Sequence, residues 1–196
     1  MRTRDHNKVE LVKKTAIEMM VKDGLEGFSM NKLARACNIS VATLYIYYKD
    51  RDDLIINIAA EEGQKMSAAI TRGFNPEMSF EEGLKNQWRN RYEYMKNNVL
   101  ANAFFELLRN SSYQERFLES FLNDMKTILG SFMTNAINRG EIDDLPLEAY
   151  WSVAFAPLYA LVRFDHEGQS LGGKPFKMTD EIFWKTFELV LKALKK

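Results

Sequence analysis

The residues best suited to chemistry crowd between Phe28 and Ile55. Ser40, Ala42 and Thr43 put small and hydroxylated groups within four positions, where a short helix would begin. Such groups let a helix end approach a nucleic-acid backbone and the base edges beside it. Leu33, Ala34, Ile39 and Leu44 are spaced to lock that helix against the one before it. Two short helices around a four-residue turn make a helix-turn-helix, whose second helix enters the DNA major groove while the first crosses the backbone.

Catalytic or metal chemistry has little to draw on. His6 and His166 are the only histidines, they lie far apart, and no His-x-x-x-His pattern accompanies them. His166 sits between Asp165 and Glu167, which suits acid–base work, but its place reads as the start of a surface loop. Cys37 is the single cysteine, so neither an intramolecular disulfide nor a cysteine-based zinc cluster can form. It reads as a small core hydrophobe. There is no glycine-rich phosphate loop, nucleophile motif or metal-ligand spacing. The expectation is a chain that is not an enzyme and has no catalytic residues, no metal and no cofactor.

The elements that must position these groups are helical. Val9, Val12, Ala16, Met19 and Met20 recur at helical spacing and predict a helix over about 6–23, ended by Gly24. Ser29 is placed to cap a helix over 30–36, and Ser40 one over 41–47. Asn38 lies between them, tolerating the left-handed conformation a tight turn needs. Asp50 is placed to cap a fourth helix reaching about residue 72, with Asp53 as its capping-box partner. Further helices are expected over 79–97, 101–110, 114–139, 146–166 and 180–195, with a loop over 167–178. The fold class is therefore all-α, with about nine helices. The expected division is 1–50 as the helix-turn-helix domain, a helix over about 51–72 as connector, and 73–196 as a ligand-binding and dimerisation domain.

The 196 residues carry no net charge, but the charge is unevenly spread. Residues 1–51 hold 10 Lys and Arg against 6 Asp and Glu; the remainder holds 17 against 21. Only the N-terminal part is thus suited to meet a polyanion. The basic start lacks the uninterrupted apolar stretch of a signal peptide, and the run from Ala149 to Val162 is too short to span a bilayer. A cytoplasmic chain without membrane partners is expected.

The segment Leu33-Ala34, Ile39-Ser40, Thr43-Leu44-Tyr45, Tyr47-Tyr48 and Asp50-Arg51-Asp52-Asp53-Leu54 resembles the DNA-binding signature of the TetR family, over about residues 8–56. Asn38 stands where that family usually has Gly, and Arg51 where it usually has Lys. The resemblance implies phosphate contacts from Thr43 and Tyr45, base-edge contacts from Val41, Ala42 and Ile46, and Tyr47 beside the backbone. It implies that Lys49 and Arg51 grip phosphate, and that Ser29, Met30 and Asn31 reach the opposite groove wall. Tyr48 is expected to pack between helices. The family's usual role further implies a ligand-responsive repressor that binds a palindromic operator in double-stranded DNA as a homodimer. Two alternatives are a lipid or hydrophobic-ligand carrier of the same fold without DNA binding, and a nucleoid-associated division regulator.

Residues 79–166 are rich in large side chains, among them Phe80, Phe104, Phe117, Phe121, Phe132 and Trp151. Most must be core, but a subset suits a cavity for a small apolar or aromatic effector, uncharged or weakly charged. Candidate ligand residues are Trp88, Arg91, Tyr92, Asn102, Phe105, Phe155, Tyr159 and Arg163, with His166 as a further polar anchor. The two apolar C-terminal helices exceed what a monomer easily buries. By the resemblance they would form a four-helix bundle across a two-fold axis, with Leu158, Leu161, Val162, Phe183, Phe187, Val190 and Leu194 sharing core and interface.

Overall fold

A computed structural model describes the backbone from Arg2 onward and the side chains of residues 8–116 and 125–196. The side chains of His6, Phe117 and Phe121 lie outside the described residues. The helices are α1 (Arg2–Gly27), α2 (Met30–Ala36), α3 (Val41–Tyr47), α4 (Arg51–Ile70), α5 (Phe80–Asn97), α6 (Val99–Arg109), α7 (Gln114–Asn138), α8 (Leu147–Ala154), α9 (Ala156–Glu167) and α10 (Asp180–Leu194). Outside them, two isolated bridges, Ile142–Lys195 and Gln169–Pro175, pin loops.

Local chemistry sets the N-terminal boundaries. The Ser29 hydroxyl accepts from the Lys32 amide at 3.3 Å, and the Ser40 hydroxyl accepts from the Thr43 amide at 3.2 Å. Each satisfies one of the orphan donors of a helix start. Between them Asn38 takes φ 53°, the left-handed geometry that turns the chain from α2 into α3. At α4 the Asp50 carboxylate accepts from the Asp53 amide at 2.8 Å, and Asp53 in return accepts from the Lys49 amide at 2.9 Å.

The helix boundaries depart from expectation in two places. Gly24 (φ 74°, ψ 167°) kinks α1 rather than ending it, and helical turns resume as far as Gly27. The expected single helix over 146–166 is two, so the described residues form ten helices where about nine are expected. Pro157 is the cause: it has no N–H for the preceding turn and its ring collides with the carbonyl four residues back, so Phe155 leaves helical geometry (φ −126°, ψ −25°) and α9 begins beside the proline. The backbone divides into two compact units. One comprises residues 1–66 and 98–122, the other 67–97 and 123–196.

In the first unit, α6 packs on α1 and buries Ala101, Phe104, Phe105 and Leu108. Val12, Ala16, Ile17 and Met20 of α1, Leu33 and Ala34 of α2, Leu44 of α3, and Leu54, Ile55 and Ile58 of α4 are also buried. Cys37 and Tyr48 are buried as expected, and burial pushes both the thiol and the phenol above their ordinary pKa. In the second unit α5, α8, α9 and α10 pack on one another around Phe80, Leu84, Trp88, Phe132, Phe155, Leu158 and Phe187. Gly83 lets the Phe132 ring close on α5: a Cβ there would overlap a carbon of that ring.

Candidate nucleic-acid interface

The second helix of the helix-turn-helix presents an apolar and phenolic outer face. Tyr45, Ile46 and Tyr47 are 53%, 76% and 43% exposed, whereas Leu44 between Thr43 and Tyr45 is buried. The 3.6-residue period explains the split: Leu44 and Tyr48 point inward together, and the three residues between them turn away. Three large side chains exposed in a row form the kind of patch that marks an interaction surface. Ala42 is exposed, and Val41 and Thr43 are half-buried, on the same end of the helix. The Thr43 hydroxyl lies 2.9 Å from that of Ser40. Lys49 and Asn31 are exposed at the edges.

Two members of the expected set sit differently. Met30 is buried at 5% exposure: as the first residue of α2 it turns into the core of the motif. Ser29 is half-buried and its hydroxyl is engaged as the α2 cap.

Arg51 has its partners within the chain. Its guanidinium donates to the Leu25 carbonyl, beyond the α1 kink, and to the Tyr113 hydroxyl at 3.4 Å. Tyr113 in turn donates to Asp52. Burial and the Asp52 hydrogen bond push the Tyr113 phenol up to about 12, with the Arg51 charge opposing. This fork tethers the start of α4 to α1 and to the α6–α7 turn. A planar guanidinium can serve two acceptors in different directions, which a lysine ammonium does less well. Tyr113 had no sequence signal beyond being an isolated aromatic in the turn Asn110-Ser111-Ser112. On the inner side, the Lys13 ammonium donates to Glu61 and, at 3.1 Å, to Glu10, joining α1 to α4. Burial pushes the Glu61 carboxyl up, but Lys13 and Lys65 together hold it below its ordinary value.

The eight candidate ligand residues fall in both units. Asn102 and Phe105 belong to the first unit and the other six to the second. Arg163 is exposed on the outer face of α9, pairs with Glu167 at 3.9 Å and lies over Phe164. Trp88 is a structural plug, donating to the Ala154 carbonyl at 2.8 Å and packed edge-on to Phe183 and Phe187. Tyr92 packs on Phe183 with ring centroids 5.1 Å apart.

Arg91, Phe155 and Tyr159 do come together. Arg91 donates to the Tyr159 hydroxyl at 2.8 Å and to the Gln87 side-chain carbonyl at 3.2 Å. Its guanidinium carbon lies 4.1 Å from the Phe155 ring centre and 4.9 Å from that of Trp151. Gln87, one turn before Arg91 on α5, was legible as a neighbour only by its spacing. His166 is exposed in the last turn of α9. Of the seven expected interface residues, six are buried within the chain itself and Leu161 is half-buried, so most of them serve core duty. Leu147 and Val153 of α8 and Leu189 of α10 are large apolar residues left exposed, at 62%, 38% and 64%.

Comparisons with known proteins agree with this architecture. Residues 14–58 match the bacterial regulatory proteins of the tetR family, and residues 60–185 match the tetracyclin repressor-like C-terminal domain. An uncharacterised HTH-type transcriptional regulator of Haemophilus influenzae is 29% identical over 86 residues, 43% of this chain and 46% of that protein, so the match spans about half its length. The fatty acid metabolism regulator protein of Bacillus subtilis is 19% identical over 131 residues, covering 66% of this chain and 68% of that one. Among solved structures, a TetR family transcription regulator from Marinobacter aquaeolei VT8 superposes over 100% of both chains with a TM-score of 0.86 at 23% identity. The fatty acid degradation regulator FadR from Bacillus halodurans covers 95% of this chain and 99% of its own, with a TM-score of 0.73 at 17% identity. With both the helix-turn-helix and the C-terminal domain matched in order along one chain, the protein belongs to the TetR family of bacterial transcription regulators and carries that family's DNA-binding helix-turn-helix.

Proposed function

We propose that this chain is a ligand-responsive repressor that binds a palindromic operator as a homodimer in the cytoplasm. The observation that carries the DNA-reading half is the exposed row Tyr45-Ile46-Tyr47 on α3, in an N-terminal segment with an excess of basic residues. An apolar reading face meets thymine methyls and offers few hydrogen bonds to bases. Discrimination then leans on Asn31 and on DNA shape. Tyr45, Tyr47, Thr43 and Lys49 hold the backbone, while Val41, Ala42 and Ile46 lie along the base edges. Arg51 supports this surface from behind through its Leu25 and Tyr113 contacts. Val153 of α8 and Leu189 of α10 supply the exposed apolar part of the dimer contact.

The sensing half rests on the polar–aromatic cluster around Arg91 in the second unit. Ligand releases DNA only by favouring a dimer that cannot span two half-sites about 34–36 Å apart or a multiple of that distance. The helix α4 runs by chain from the reading motif into the second unit and is the element through which such a bias would act. A gel-shift titration on the DNA upstream of the protein's own gene tests both halves. The reading requires a discrete retarded complex of dimer mass that Ile46→Asp abolishes. A protein that retards no DNA at low salt would be the carrier without DNA binding.

A further inference from the structure

Arg91 is 2% exposed and bears a full positive charge, yet no carboxylate lies within ion-pairing distance of it among the described residues. Its two hydrogen-bond acceptors, the Tyr159 hydroxyl and the Gln87 amide oxygen, are neutral. Its Nε atom is buried and has no acceptor. The flanking Phe155 and Trp151 rings offset part of the cost of burying a cation, because a ring face carries partial negative charge, but they neutralise nothing. A second orphan lies in the same cluster. Tyr150 is buried, its ring centre is 6.0 Å from that of Phe155, and its hydroxyl has no hydrogen-bond partner. Burial pushes the Tyr150 phenol far up, so it stays a proton donor, while the Arg91 charge draws it partly back.

The cluster is therefore rich in donors and poor in acceptors. Buried polar groups are nearly always satisfied, and an unpaired buried guanidinium is among the costliest exceptions. A cluster built for packing alone would place an aspartate or glutamate beside Arg91, or an apolar residue in its place. The missing partner must be negative, small enough to lie among aromatic rings, and able to accept from more than one donor. A carboxylate meets all three requirements, and guanidinium–carboxylate pairing is among the strongest charge-assisted contacts. The Phe155 and Trp151 rings beside the guanidinium are apolar and suit the body of the molecule. Trp151 and Tyr159 are half-buried with ring centroids 6.4 Å apart, so one layer of rings separates Arg91 from solvent.

We infer that the effector is an apolar or aromatic carboxylic acid whose head group is received by the Arg91 guanidinium, with the Tyr150 hydroxyl as second donor. This rests on the ligand-response reading above and replaces the uncharged or weakly charged effector expected from sequence with an anionic one.

The full-length protein is titrated by calorimetry and thermal shift with straight-chain carboxylates from butanoate to dodecanoate, with 3-phenylpropanoate, and with the methyl ester of each. The expected result is that at least one acid binds and raises the melting temperature while its ester binds at least about 10-fold more weakly. Arg91→Met should weaken that acid by about 10-fold or more and close the gap between acid and ester. Tyr150→Phe removes one hydroxyl from a buried site without changing the ring. It should weaken the acid about 5-fold or more and leave the ester unchanged, and it tests the site even where Arg91→Met fails to fold. Esters that bind as well as their acids and release the operator would overturn the anionic head group while leaving a ligand-responsive regulator. Acids and esters that all fail to bind would overturn it too. If operator binding then also ignores every compound, the ligand-response reading falls with it.

Discussion

Replacing Arg51 with alanine separates a phosphate contact from an internal brace. In the structure the guanidinium donates to the Leu25 carbonyl and to Tyr113, and lies 3.5 Å from Asp52. The Leu25 bond is charge-assisted and part-buried, worth about 1.5–3 kcal/mol. The Asp52 pair is 60% exposed on the acid side and adds at most about 1 kcal/mol. Arg51→Ala should therefore cost about 2–3 kcal/mol, which lowers the melting temperature of a chain of this size by roughly 4–12 °C. A phosphate contact makes a different prediction. Each neutralised phosphate contributes about 0.9 to the slope of log affinity against log salt, so losing one contact per subunit would flatten the slope by about 1.8 per dimer. Lysine would restore that charge, but it restores the brace only in part, because it lacks the planar fork. The paired assay is a denaturation curve and an operator titration between 50 and 200 mM salt, on Arg51→Ala, Arg51→Lys and Lys49→Ala. The expected pattern is a destabilised Arg51→Ala with the wild-type salt slope, partial recovery in Arg51→Lys, and a flattened slope in Lys49→Ala. A fully stable Arg51→Ala with a slope reduced by nearly two would refute the brace and return Arg51 to the DNA.

The other predictions concern the reading face, assembly, pH and core. Tyr45→Phe should weaken binding to all operators alike by about 1–2 kcal/mol without reordering them, as seen by competition titration. Leu189→Arg should shift light scattering from dimer to monomer mass while circular dichroism stays helical, since Leu189 is exposed in the chain itself. Glu61, Glu141 and Asp165 are all held below their ordinary pKa despite burial: by Lys13 and Lys65, by the Phe80 amide and Arg139, and by the Met178 amide and Lys177. Their contribution to stability is complete above the ordinary carboxylate range and disappears as pH falls through the lowered values, so denaturation midpoints should drop on acidification, less so in Asp165→Asn. Gly83→Ala should destabilise despite alanine's helix propensity, because the new methyl overlaps the Phe132 ring and the overlap outweighs the roughly 1 kcal/mol gained from the helix.

Wherever local chemistry sets the outcome, the sequence was readable. Ser29, Asn38, Ser40, Asp50 and Asp53 act within four residues of themselves, so the boundaries of α2, α3 and the start of α4 could be assigned from their side-chain chemistry. Pro157 also acts locally, and the break in the expected helix over 146–166 was available from it; the apolar run on either side masked it. Gly24 was read as a stop because a glycine with positive φ ends most helices it occupies. Its kink instead leaves the Leu25 carbonyl available to Arg51, a contact between residues 26 positions apart that no local rule supplies.

The same distinction explains the candidate sites. The period of a helix separates Leu44 and Tyr48 from Tyr45, Ile46 and Tyr47, so the exposed face of α3 followed from sequence, whereas Met30 at the mouth of α2 did not, because the first residue of a short helix can turn either way. In the second unit, aromatic excess says that a core exists but not which ring faces which. Trp88, Arg91 and Arg163 were equal candidates in sequence. They differ in that the Trp88 N–H finds a backbone carbonyl, Arg163 is exposed and pairs with Glu167, and Arg91 is buried without an anion among the described residues. Satisfaction of buried polar groups is a property of the packed fold, and here it is what singles out one of three polar anchors. The two orphan donors, Arg91 Nε and Tyr150 Oη, come from α5 and α8, nearly 60 positions apart, and both lie against Phe155 at the break that Pro157 creates. Restoring a continuous helix with Pro157→Ala should disturb that meeting point while leaving α2 and α3 unchanged. It should therefore weaken carboxylate binding and spare operator binding in the absence of ligand. Equal loss of both would mean that the break serves the fold of the whole second unit rather than the cluster around Arg91.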